Sequence, residues 1–207
     1  MSDLSGLPHV HRKHTADSAP EAQANFFSLE EPVTPAGHQL FVRRQYNRIV
    51  ARETLLDGPR EEKTPLADGG AIESGDRVEV VLTVETKNDY EYLLFEDPKP
   101  AGFEAVEVRS GGPLHARELK PSQLDLRLSG GVDQVDLTGA SRWVYRELRD
   151  RKIALFVDRL PQGVWEIRYT LRAETPGTFH AMPLTGEAMY VPEIHANGAE
   201  QRVRVTD

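Results

Sequence analysis

VWEIRYTLRAE, residues 164–174, is the stretch from which the fold can be read. Trp165, Ile167, Tyr169 and Leu171 occupy alternate positions, with Glu166, Arg168 and Thr170 between them. A period of two places the apolar side chains on one face of an extended strand and the polar ones on the other; a helix would repeat near every 3.6 residues. RVEVVLTVET, residues 77–86, repeats the pattern, with Val78, Val80, Leu82 and Val84 opposite Glu79, Thr83 and Glu85. Two such runs predict half-buried strands of antiparallel sheets.

Working outward, the runs on either side of residues 164–174 keep the same rhythm. WVYRELRD (143–150) and KIALFVDRL (152–160) precede it, closely spaced enough to be antiparallel neighbours. TFHAMPL (178–184), EAMYVPEI (187–194) and QRVRVTD (201–207) follow, with Pro176-Gly177 as a corner. Upstream, QLFVRRQYNRIV (39–50) suits a strand with Leu40, Val42, Tyr46 and Ile49 inward and long polar chains on a wet face. YEYLLFED (90–97) runs back from a turn at Asn88-Asp89, and FEAVEVRS (103–110) follows, with Phe103, Ala105 and Val108 competing for the inner face. Residues 57–76, DGPREEKTPLADGGAIESGD, read as a surface loop rich in Gly and Pro, and residues 111–141 as a long irregular or hairpin-like excursion turning at Gly130-Gly131. About nine strands, no helical stripe and frequent turn residues predict an all-β, antiparallel two-sheet β-sandwich.

The domain organisation expected is a tail or linker over residues 1–37, poor in periodicity and rich in Ala, Ser, Pro and His, and a sandwich over 38–207. Phe26, Phe27 and Leu29 give the tail some capacity to dock, as the remnant of a preceding domain would. The 207 residues are 39% hydrophobic and 28% charged, a composition able to bury a sizeable core. A formal net charge of -8 opposes binding to nucleic acid or to an anionic membrane surface. The absence of cysteine removes disulfides, thiolate catalysis and any internal thioester in this chain. MSDLSGLPHVHRKH lacks the apolar core of an export signal, and no run has the length of a membrane span, so neither export by this segment nor membrane insertion is expected.

Candidates for catalysis are His180, His195, Glu174, Glu193 and Asp158, none beside a diagnostic partner. GxSxG, HExxH, P-loop and dinucleotide glycine patterns are absent, and ESGDRVE (73–79) lacks calcium-loop spacing. No catalytic residue, metal site or cofactor is therefore expected. His9, His11 and His14 sit in a polar tail without carboxylate company and read as solvated. His180 reads as a strand residue bonded locally, and Glu79, Glu85, Glu91 and Glu96 as a solvated face that discourages edge pairing. Met189-Tyr190 leaves two readings open: alternation between core and surface at a strand end, or an adaptable apolar tip aimed at a partner.

LFVRRQY (40–46), SGDRVEVVLTVE (74–85), FEDPKPAGFEAVE (95–107), RELRDRKIALFVDRLPQGVWEIRYTLRAETPGTFHAMP (146–183) and AMYVPEI (188–194) together resemble the C-terminal macroglobulin-like domain of bacterial alpha-2-macroglobulins. The resemblance implies a non-catalytic module of a protease-inhibitor trap, in which proteolysis of a bait region triggers a thioester on a separate helical domain. It implies that GEAMYVPEI (186–194) is a locking loop, with Met189, Tyr190, Val191 and Pro192 meeting the thioester domain and shielding the thioester from water. The implied partner is that thioester domain, in cis or in trans, and indirectly a protease. The implied setting is periplasmic or secreted, within a larger protein. With neither bait domain nor thioester of its own, the chain has a competing expectation: a stand-alone protein-binding or adhesion module.

Overall fold

The computed structural model describes residues 33–54, 58–107, 109–119 and 140–207, which form fifteen strands and no helix. The tail histidines, Phe26, Phe27, Leu29, Val108 and the Gly130-Gly131 turn lie outside the described residues. No described helix is long and apolar enough to cross a membrane.

The two alternating runs are the centre of one half of the molecule. β5 (Arg77–Thr86) and β11 (Gly163–Ala173) pair antiparallel along their length, from Arg77↔Arg172 to Thr86↔Gly163. Val78, Val80, Leu82 and Val84, with Trp165, Ile167, Tyr169 and Leu171, all point into the core, where none is more than 4% exposed. β2 (Leu40–Thr54) flanks β5, and β3 (Gly58–Pro65) flanks β2. β7 (Phe103–Ala105) and β8 (Leu114–Glu118) pair with different parts of β11.

The other half contains β9 (Ser141–Leu148), β10 (Lys152–Leu160), β6 (Tyr90–Pro98), β13 (Thr185–Ala188), β14 (Val191–Asn197) and β1 (Ala36–Gly37), each hydrogen-bonded to the next in that order. β8 pairs with β9, so the halves are one continuous curled sheet, and its far side returns to bring β13 and β14 against β2. A separate sheet has the order β12 (Gly177–Ala181), β15 (Gln201–Thr206), β4 (Gly70–Glu73), with β4 and β15 parallel. Every other pairing is antiparallel. The all-β antiparallel sandwich predicted from alternation is the fold observed.

Several local expectations are corrected. Residues 57–76 are not a loop: β3 and β4 lie within them. The polar β3 is held by its ladder to β2 and by ion pairs such as Arg77–Glu61, and Ile72 is the one large apolar side chain that anchors β4. β10 and β11 follow each other in sequence without pairing, because β10 sits between β6 and β9 while β11 crosses to the other half. Among the described residues of FEAVEVRS, the strand covers the first three.

The Pro176-Gly177 corner carries the chain from β11 to β12. Gly177 has φ 151°, a conformation that side-chain-bearing residues rarely adopt, and a Cβ there would meet the Phe179 ring at 2.9 Å.

Candidate functional site

The hairpin β13–β14 ends in the turn Met189-Tyr190, closed by the pair Ala188↔Val191. Its base is buried and its tip is not. Ala188 is 4% exposed and lies opposite Leu93 of β6, whereas Met189, Tyr190 and Val191 are 45%, 74% and 44% exposed. A β-strand sends successive side chains to opposite faces, but a two-residue turn leaves the sheet, so both Met189 and Tyr190 face solvent instead of alternating. The register shifts from Glu187↔His195 to Ala188↔Val191, leaving Pro192, Glu193 and Ile194 as an irregularity in β14. His195 spans it: its Nδ1 lies 2.9 Å from the Pro192 carbonyl oxygen, which can only accept, so this nitrogen carries the proton.

A residue that sequence reasoning passed over completes the tip. Tyr92 in β6 is half exposed, and its ring meets Tyr190 edge to face, with centroids 5.3 Å apart and planes at 85°. Its carbonyl accepts the Met189 N–H at 2.9 Å. Tyr92 has φ 55°, the one non-glycine positive φ among the described residues. That kink changes which positions of β6 face inward: Leu93, Phe95 and Asp97 are buried, yet so is Tyr90, an odd number of residues away. The visible clue was the repeated Tyr in YEYLLFED, but alternation alone would put Tyr90 and Tyr92 on one face.

The candidates for catalysis are spread over β10, β12, β14 and the end of β11. His180 on β12 accepts a hydrogen bond from Arg202 Nε at 2.7 Å, consistent with the expected local bonding. His195 braces the hairpin, Asp158 and Glu193 are exposed on β10 and β14, and Glu174 follows β11, where its backbone carbonyl accepts from Ser74. Among the described residues, no three His, Asp or Glu side chains cluster as a metal site would require.

Two ionic clusters brace the scaffold. Asp97, the last residue of YEYLLFED, is 1% exposed and accepts from Arg44 Nη1 at 2.5 Å and from the Tyr169 hydroxyl. Arg44 also donates to the carbonyls of Ala181 (2.9 Å) and Pro98 (3.2 Å), and its guanidinium lies over the Tyr46 ring with Cζ 5.1 Å from the centroid. It sits on the inner face of β2, not on the wet one expected. Burial works against its charge, but Asp97 more than compensates and holds Arg44 cationic. Burial, then the Asp97 charge, raises the Tyr169 phenol, which stays protonated as a donor.

The second cluster corrects the solvated reading of Glu79. It is 6% exposed on the outer face of β5, accepting from Lys63 at 2.7 Å, Asn47 at 3.3 Å and Arg168 at 3.2 Å. Arg168 also donates to Glu166 at 2.5 Å. Burial opposes the Glu79 charge, but the Lys63 hydrogen bond and the Arg168 and Lys63 charges outweigh it and hold the carboxyl below its usual range.

The family model of the bacterial alpha-2-macroglobulin MG10 domain matches residues 42–193, which take in most of the described strands and the hairpin tip. The chain belongs to that family. Among curated relatives of this MG10 domain, alpha-2-macroglobulin of Xylella fastidiosa (strain Temecula1) is 26% identical over 178 residues, 86% of this chain and 9% of the relative. Escherichia coli alpha-2-macroglobulin activated by porcine elastase superposes with a TM-score of 0.55 and 26% identity, covering 84% of this chain and 14% of that one. Salmonella alpha-2-macroglobulin reacted with methylamine gives 0.52 and 26%, covering 84% and 10%. The chain spans only 3 to 9% of the length of the curated relatives it matches.

Proposed function

We propose that this MG10 domain is a non-catalytic module of an alpha-2-macroglobulin-type protease trap, and that its β13–β14 hairpin covers a thioester on a neighbouring domain. The observation that carries this reading is the tip: Met189 and Tyr190 project from the sandwich on a short turn whose base is buried. A thioester persists only where water and amines are kept away. A polarizable Met beside a large, stiff Tyr provides apolar cover, and the phenol hydroxyl can satisfy a polar group at the edge of the covered site. Val191 and Pro192 complete the contact surface.

Two relatives supply the chemistry of the test, since one was solved after reaction with methylamine and another after activation by elastase. Methylamine is a small nucleophile, and attack on a buried thioester measures how well it is covered. In a polypeptide carrying both this domain and a thioester domain, replacing Met189 and Tyr190 together with Ala should accelerate methylamine inactivation while the sandwich stays folded. An unchanged rate in the folded variant overturns the lock. The setting proposed is the bacterial periplasm or exterior, as part of a larger protein, with the trapped protease an indirect partner.

A further inference from the structure

We propose that Tyr92 is a positioning residue for the lock: its ring holds Tyr190 in the orientation that the covering surface requires. The inference rests on the reading of the hairpin as a lock, and three observations meet at this one residue.

The first is strain. A bulky residue at φ 55° is an outlier, tolerated only where the surroundings enforce it, and such outliers gather at functional positions. The second is that the kink has a consequence at the tip. In the β6–β10 ladder the register runs Val157↔Leu93 and then Arg159↔Glu91, with Tyr92 and Asp158 between them unpaired as a bridge. The Tyr92 carbonyl instead accepts the Met189 N–H, the contact by which β6 reaches the turn. The third is the ring itself. It gains little from burial, being half exposed, and the ring contact recorded for it is with Tyr190. A side chain whose task was to stabilise the sandwich would be buried in it. This one lies on the surface against the most exposed side chain of the tip.

A 74% exposed Tyr on a two-residue turn would otherwise sample several rotamers, and a cover that must fit its partner would lose affinity in ordering it. Edge-to-face contact with Tyr92 selects one arrangement in advance.

The test separates the ring from the backbone. Tyr92→Gly accepts φ 55° without strain and keeps the carbonyl that receives the Met189 N–H, but removes the ring. Tyr92→Phe keeps the ring and loses only the hydroxyl. In the 207-residue chain, Tyr92→Gly should shift the melting temperature by less than about 3 °C, because relieved strain offsets lost contact. The ring-current shift of the Tyr190 ring protons should vanish, and Tyr92→Phe should restore it. With a thioester domain present, Tyr92→Gly should make methylamine inactivation about two- to tenfold faster, the range an edge-to-face pair supports, and Tyr92→Phe should match the unsubstituted protein. Unchanged Tyr190 ring shifts in Tyr92→Gly overturn the inference, as does acceleration by Tyr92→Phe equal to that by Tyr92→Gly. The lock itself has its own control in Tyr190→Ala. If that variant leaves the methylamine rate unchanged, the lock falls, and the ring shifts still decide whether Tyr92 orders Tyr190.

Discussion

Asp97 serves two donors from two other strands, Arg44 of β2 and Tyr169 of β11, while Arg44 reaches on to the Ala181 carbonyl in the three-stranded sheet. One carboxylate thus ties the two halves of the curled sheet together and, through Arg44, to the three-stranded sheet. Asp97→Asn keeps the shape and removes the charge, leaving a guanidinium buried without its counter-ion, so urea denaturation should show a loss of about 3–5 kcal/mol. Glu79 works by pH. Its carboxyl is held below the usual range by Lys63 and Arg168, so its contribution is complete above the ordinary carboxylate pKa of about 4.3 and is lost as pH falls through its lower folded value. Glu79→Gln should therefore flatten the decline of stability with acid below about pH 4.3, measured by denaturant titration at several pH values, and leave the slope above it unchanged. Sequence reading placed Arg44 and Glu79 in water because it assigns long charged chains to solvent; what overrides that rule is a partner of opposite charge on another strand, far away in the chain.

At the scale of elements, the hairpin is seated by a glycine. A Cβ on Gly186 would lie 2.8 Å from Phe95 Cδ1 and 3.1 Å from Val42 Cγ1, and Phe95 is fully buried with no room to yield. Gly186→Ala should cost about 1–3 kcal/mol by overpacking, read from thermal or urea unfolding. Exchange of the Met189 amide should rise with it, since that amide depends on β13 lying close to β6. The strands that alternation predicted are those with one apolar and one largely polar face. β3 and β4 escaped notice because their sequences, rich in Gly, Pro and charge, carry no alternation and become strands by pairing with β2 and β15. The tip residues Met189 to Pro192 were named from the sequence, but a run such as EAMYVPEI does not say where its turn lies; pairing of β13 with both β6 and β14 decides that.

For the whole molecule, the decisive contrast is between a buried sandwich core and an exposed tip that touches it through little more than Tyr92. Replacing Met189 and Tyr190 with Ala should lower unfolding free energy by no more than about 1.5 kcal/mol, the worth of the edge-to-face pair with Tyr92. The same double substitution should weaken binding to a thioester domain of a relative supplied in trans, measured by calorimetry or surface capture. Equal binding with and without the two side chains would remove the hairpin from the interface. The expected energetic asymmetry is that of a binding element: cheap to remove from the fold and costly to remove from the complex.

The sequence alone determined the fold class and the inward faces of β5 and β11, because alternation is a local consequence of strand geometry and survives without knowledge of neighbours, whereas residues 186–194 were singled out by the family resemblance. Tertiary structure decided what depends on residues distant in the chain: that Arg44, Asp97 and Tyr169 share one interior site, that Glu79 is buried among cations, and that β10 and β11 part company. It also decided that Tyr92 lies against Tyr190. Those two tyrosines are 98 positions apart, and only the pairing of β6 with β13, with the kink at φ 55°, brings their rings together.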